Sequence, residues 1–126
     1  MAPQDAQPTA PQGIEVQFRL PGIALVQMHG EHDLSGREAL AEALARASDQ
    51  LNVLVDLSEC TFMDSSVLGV LIPAGQAIKQ RGGRLELVIP PEATTASRVA
   101  AITRLAEFLP IHKTHGAGFA SFETEA

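Results

Sequence analysis

The 126-residue sequence contains no tryptophan and no tyrosine, and only five phenylalanines. A core must therefore be assembled from Ala, Val, Leu and Ile, and there is little aromatic surface on which nucleic-acid bases could stack. There is one cysteine, Cys60, which excludes an internal disulfide and fits a reducing, cytoplasmic compartment. Basic residues are scarce: nine Lys and Arg against fifteen Asp and Glu give a formal net charge of −6. An acidic chain without a basic cluster is a poor match for a nucleic-acid backbone or an anionic membrane, so direct binding to either is not expected. No apolar run approaches the length of a membrane span, and no basic segment followed by an apolar stretch marks a signal peptide. Nucleotide-cradling glycine motifs of the G-x-x-x-x-G-K-[ST] kind are missing, and no cofactor is expected.

What the sequence does have is enough apolar material for one domain: 45% hydrophobic and 19% charged residues. Residues 1–13, MAPQDAQPTAPQG, carry three prolines and three glutamines, which predicts a disordered tail before a domain spanning 14–126. From Ile14 the residues Ile14, Val16, Phe18 and Leu20 alternate with Glu15, Gln17 and Arg19, the period of a half-buried strand. Pro21-Gly22 makes a turn, and Ile23 to Met28 reads as a second strand. Ser35-x-x-Glu38 has the spacing of a capping box, with Leu40, Ala43, Leu44, Ala47 and Leu51 as the apolar stripe of the following helix.

Val53-Leu54-Val55 is a short, β-branched-rich run and predicts a buried strand, ended by a turn over Asp56–Cys60. Phe62 and Met63 return to the interior before the polar triplet Asp64-Ser65-Ser66, which has the composition of a helix start. With Ser66 as the N-cap, its oxygen would hold backbone N–H groups near Leu68 and Gly69, leaving the Ser65 hydroxyl exposed one residue outside the helix. That helix runs to about Gln80 with Pro73 inside it, which predicts a kink or an irregular first turn, and Gly82-Gly83 stops it. A fourth strand over Leu85–Ile89, a helix capped by Thr94 or Thr95 with Val99, Ile102 and Leu105 inward, a short strand at 109–112 and a last helix with Phe119 and Phe122 inward complete the chain. Strands alternating with helices imply an α/β fold: a mixed, largely parallel sheet of about five strands with about four helices, the first strand antiparallel. His112 and His115 have an H-x-x-H spacing but no accompanying third ligand, so no zinc site is expected.

Gly30-Glu31-His32-Asp33 ahead of a capped helix, together with Val55-Asp56-Leu57-Ser58 and Phe62-Met63-Asp64-Ser65-Ser66-Val67-Leu68-Gly69-Val70-Leu71, resembles the STAS domain of anti-sigma factor antagonists over roughly Ile14–Phe122. The resemblance implies a partner switch. The unmodified antagonist binds an anti-sigma serine kinase of the GHKL type. Phosphorylation of the serine after the motif aspartate, here Ser65, releases it, and a PP2C-type phosphatase restores the binding form. It further implies that Asp33 lies near the acceptor, and that Asp33, Asp64, Ser65, Ser66 and Val67 form the partner-binding surface. The chain departs from the family pattern at Val67, where most members have Gly, at His32, where the residue is usually apolar, and at Arg104, where a Gly usually ends the third helix. Two other functions stand beside this one: a non-phosphorylated STAS module in a larger assembly or transporter, and an enzyme with a Ser65 nucleophile. The enzyme lacks the G-x-S-x-G elbow and a suitably spaced histidine base.

Overall fold

The computed structural model describes residues 13–123. In chain order it contains β1 (Gly13–Leu20), β2 (Ile23–His32), α1 (Arg37–Ala47), β3 (Asn52–Asp56), β4 (Cys60–Met63), α2 (Leu68–Gln80), β5 (Leu85–Val88), α3 (Thr94–Thr103), β6 (Ile111–His112) and α4 (His115–Glu123). The sheet has six strands in the order β1-β2-β3-β5-β6, with β4 joined to the end of β2. Only β1 is antiparallel to its neighbour; every other pair is parallel. The mixed α/β architecture expected from the sequence is present, with one strand more than the five anticipated.

The extra strand, β4, has its outer residues Cys60 and Met63 buried and Thr61 and Phe62 exposed, so it lacks the alternation that would announce it. Phe62, expected inside, is 43% exposed. Cys60 is a buried strand residue rather than a half-buried turn residue, and burial pushes its thiol pKa up. Gly13 belongs to β1, opposite His29, and not to the tail; the rest of the expected tail lies outside the described residues.

The sheet is buried on both sides, which explains the continuous apolar runs in β2 and β3. Ala24, Val26, Met28, Val53, Val55, Leu85 and Leu87 face the larger core under α1, α2 and α3. Ile23, Leu25, Leu54 and Val88 face the other way and are covered by Phe122, with Phe119 at the margin. Each of Leu25 and Leu54, fully buried, contributes about 1.5–3 kcal/mol by leaving water.

The α4 side of the sheet also carries two buried carboxylates at the alternate positions of β3 and β5. Asp56 accepts from Ser58 N–H at 2.9 Å and Ser58 Oγ at 2.7 Å, from Gln27 Nε2 at 3.2 Å, and lies 2.5 Å from His115 Nε2. Glu86 lies 2.7 Å from His112 Nε2, accepts from Ser121 Oγ at 2.5 Å, and pairs with Arg84 Nη1 at 2.9 Å. Arg84 in turn stacks over the Phe122 ring, 5.1 Å from its centroid. The two histidines of the H-x-x-H spacing are thus divided between different carboxylates, one at each end of the seam that fixes α4.

Several helix boundaries differ from the sequence expectation. The capping box at Ser35 is not formed: Asp33 is the cap, of a 3-10 turn over Leu34–Gly36 that leads into α1. Neither Thr94 nor Thr95 caps α3, whose N-cap is Ala93 without a side-chain bond. Alanines 96 and 100 form the buried face of α3, while Ile102 is 75% exposed. Leu51 lies beyond α1 and is exposed. Pro73 stands within α2, whose helical run continues on both sides of it, and the irregular turn is the 3-10 segment Ser65–Val67 ahead of Leu68. Gly83 sits where a Cβ would fall 1.9 Å from the Leu51 carbonyl oxygen, so the close approach of α2's end to that loop requires glycine.

Arg104 ends α3 at φ 57°, the only non-glycine residue with positive φ among the described residues. A left-handed conformation costs an L-residue about 1–2 kcal/mol, and the exposed ion pair from Arg104 Nε to Glu107 at 3.1 Å returns little. Arg104→Gly removes the strain, at an entropic cost of about 0.5–1 kcal/mol. The expected net gain is about 0.5–1 kcal/mol, measured as a higher urea midpoint at constant slope.

Burial pushes the Asp56 carboxyl pKa up, but the hydrogen bonds from Ser58, Gln27 and His115 outweigh it and hold the group below the ordinary carboxylate value. A depressed folded pKa contributes stability that is present above the unfolded value and lost as pH falls through the folded one. Asp56→Asn is therefore expected to cost about 2 kcal/mol at pH 7. Its deficit against wild type in urea titrations should shrink once the pH drops below about 4.

Candidate functional site

The candidate site is made where β2 and β4 end together. In their parallel ladder Gly30 lies opposite Cys60 and His32 opposite Met63, and the next step places Asp33 and Asp64 at the ends of adjoining strands. The Asp64 N–H donates to the His32 carbonyl at 3.3 Å, tying the two exits to each other. Both chains then enter a single 3-10 turn and a helix.

The two turns are built alike. Asp33 Oδ1 accepts from the Ser35 N–H at 3.0 Å and from Ser35 Oγ at 2.6 Å. Asp64 Oδ1 accepts from the Ser66 N–H at 2.9 Å and from the Ser66 hydroxyl. The Asp56–Ser58 pair at the end of β3 repeats the same Asp-x-Ser arrangement. In each case the carboxylate holds both the backbone N–H and the hydroxyl two residues on, which satisfies donors that the turn leaves without partners. The Ser35 hydroxyl, followed by its backbone N–H, lowers the pKa of Asp33, so this exposed acid is ionised throughout the neutral range.

This geometry corrects the capping expected at Ser66. Asp64, with extended backbone at φ −108° and ψ 178°, is the cap, and the Ser66 hydroxyl is a donor to it rather than an acceptor from Leu68 or Gly69. The consequence for Ser65 is the one anticipated: its side chain is exposed at the tip of the turn. No hydrogen bond engages its hydroxyl among the described residues. Val67 differs from the expectation of a surface residue. It is 2% exposed and packed in the main core, so its side chain anchors the turn from beneath. Leu34 and Phe62 are exposed apolar side chains on the two exits, one residue after Asp33 and two before Asp64. Sequence reasoning passed over both, although Phe62 stood in the motif.

The family described as "Mlab, STAS domain" matches residues 16–110, most of the chain. The protein belongs to the STAS-domain family. Among curated proteins no match is found. Solved structures of the same fold include an anti-sigma factor antagonist from Mycobacterium paratuberculosis, 24% identical, covering 89% of this chain and 96% of that one at a TM-score of 0.70. The anti-sigma factor antagonist SpoIIAA in its unphosphorylated form is 16% identical, with coverage of 90% and 99% and a TM-score of 0.69. The phosphorylated form of SpoIIAA, described as a Bacillus cell fate determinant, is 17% identical, with coverage of 87% and 99% and a TM-score of 0.66. At these identities the likeness establishes the fold, and the reading of the site rests on the residues above.

Because Asp64 does the capping, Asp64→Ala is expected to cost about 0.5–2 kcal/mol. Ser66→Ala should cost less than half of that, since its backbone N–H keeps the carboxylate. Equal losses for the two variants in chemical denaturation would show that the hydroxyl, not the carboxylate, organises the turn.

Proposed function

We propose that this protein is an anti-sigma factor antagonist of a partner-switching pathway, with Ser65 as its phosphorylation site. The unphosphorylated domain binds an anti-sigma factor that is a serine kinase of the GHKL type, through Asp33, Asp64, Ser65 and Ser66 with the turn supported by Val67. Phosphorylation at Ser65 releases the partner, and a PP2C-type phosphatase returns the domain to its binding form. The observation that carries the reading is the asymmetry of the serine pair: Ser66 is spent on Asp64, while Ser65 is exposed beside Asp33. The antagonists of the same fold, one of them known in phosphorylated and unphosphorylated forms, support it.

The chemistry of the switch follows from charge. A phosphate on Ser65 adds about −1.5 to −2 charges and three acceptor oxygens. It would stand beside two carboxylates that are already present on the turns. At the start of a helix the phosphate also meets the positive end of the dipole, so the fold can carry it. A partner groove fitted to a neutral hydroxyl would instead face repulsion and a desolvation cost. The role is one of binding and transcription regulation rather than catalysis: among the described residues no imidazole is hydrogen-bonded to Ser65 to serve as its base.

The test is incubation of the purified chain with candidate GHKL kinases and ATP, followed by fragment mass spectrometry and binding titrations. A gain of one phosphate on Ser65 is expected. Ser65→Ala should take up none and stay bound, and Ser65→Glu should bind at least about tenfold more weakly, the equivalent of 1.4 kcal/mol. Phosphate on Ser66, or equal kinase affinity for wild type and both variants, removes the switch and leaves an unphosphorylated interaction module.

A further inference from the structure

On the other side of the β2 exit, between β1 and α1, lies a cleft of about 460 Å³. That is within the range of about 300–1,000 Å³ typical of small-molecule sites. Ile14, Ala39 and Ala43 supply an apolar wall, while Glu31, Asp33 and Glu42 contribute carboxylates against the single guanidinium of Arg46. A second feature points the same way. His32 lines this cleft, yet the residue is only 7% exposed, and its Nε2 lies 2.9 Å from the His29 carbonyl oxygen. A carbonyl oxygen only accepts, so Nε2 carries the proton and Nδ1 is a bare acceptor. Nothing among the described residues donates to it. Burial lowers the His32 pKa and keeps the ring neutral, so Nδ1 stays an acceptor at neutral pH.

The polar atoms offered to an occupant are thus acceptors, with one exception at Arg46. A phosphate-bearing ligand would meet three carboxylates and one unprotonated nitrogen. A cation rich in N–H donors, carried on a short alkyl stem that covers the apolar wall, would meet a partner at each of them. We infer that the cleft between β1, the end of β2 and α1 binds a small organic cation, a guanidinium or amine, held by Glu31, Asp33, Glu42 and the Nδ1 of His32. This site does not depend on whether Ser65 is a phosphoacceptor.

The test is a titration of the full chain with agmatine, followed by calorimetry and amide chemical shifts. Saturable binding with a Kd of about 1 mM or tighter is expected, with shifts confined to residues 31–46 and the start of β1. Glu42→Gln, a surface change on α1, should weaken it about tenfold through the loss of one charge-assisted bond. His32→Leu should do the same, and the fold of each variant is checked by its own unfolding curve. A neutral stem of similar length, n-pentanol, should not saturate the site. Binding as tight by Glu42→Gln as by wild type, equal binding of the alcohol, shifts spread over distant acids such as Glu59 and Glu107, or no saturation overturns the assignment.

Discussion

The parallel pairing of the last three residues of β2 with β4 is the constraint on which the site depends. Without that ladder, Asp33 and Asp64 belong to unrelated loops; with it, they leave neighbouring strands in register and the Asp64 N–H is fixed to the His32 carbonyl. Two carboxylates placed on adjoining exits would repel. Each is compensated within its own turn by one backbone N–H and one hydroxyl from the serine two residues on. The same device at Asp56 and Ser58 keeps a buried carboxylate ionised at the end of β3. Three strand ends therefore share one local solution, an Asp-x-Ser turn, set to different uses by burial: inside at Asp56, at the surface at Asp33 and Asp64.

The two sides of the sheet are held by different kinds of interaction. Under α1, α2 and α3 the core is apolar, and shape alone organises it. On the other side α4 is short, with few apolar anchors, and its seam is completed by Asp56 with His115 and by Glu86 with His112, Ser121 and Arg84. Ion pairs of this kind repay their desolvation poorly. Their effect here is directional. An apolar contact between a helix and a flat sheet tolerates sliding, whereas a carboxylate that must meet a ring nitrogen on one loop and a hydroxyl on the next turn admits one position. Close contact at Gly118, where a Cβ would stand 2.9 Å from Leu54 Cδ1, adds a steric stop to the same register.

Much of this was legible in the sequence, and the failures have physical causes. The alternation in β1 and the continuous apolar runs of β2 and β3 reported sheet faces directly, because burial on one or both sides leaves a periodic trace. β4 left none: four residues with burial at the ends and exposure in the middle follow neither period. The cap positions were misassigned because aspartate and serine both cap, and Ser35-x-x-Glu38 fits a capping box by spacing while Asp33 occupies the extended position that a cap needs. Glu86 and Asp56 were unreadable as buried groups, since a charged residue between apolar ones looks like the solvent face of a strand until a helix is known to cover it. Arg104 was different: its departure from a glycine was visible in the chain, and the left-handed backbone there shows what the glycine of the family pattern would have relieved.

The division of labour within Asp64-Ser65-Ser66-Val67 bears on how the proposed switch would be read. Asp64 and Ser66 close the turn, and Val67 plugs it into the core. Ser65 is the member of the four that the fold does not use. A charge added to a residue that holds nothing up has no structural bond to break, so it need not reshape the domain. It would change the sign and size of the field at the surface, where Asp33 and Asp64 already stand and the Debye length of about 8 Å keeps neighbouring charges coupled at physiological salt. The exposed Leu34 and Phe62 on the same two exits would give a partner its apolar contact. A switch of this design is a difference of binding energies at a rigid surface, and the rigidity is supplied by the same Asp-x-Ser turns that leave Ser65 outside.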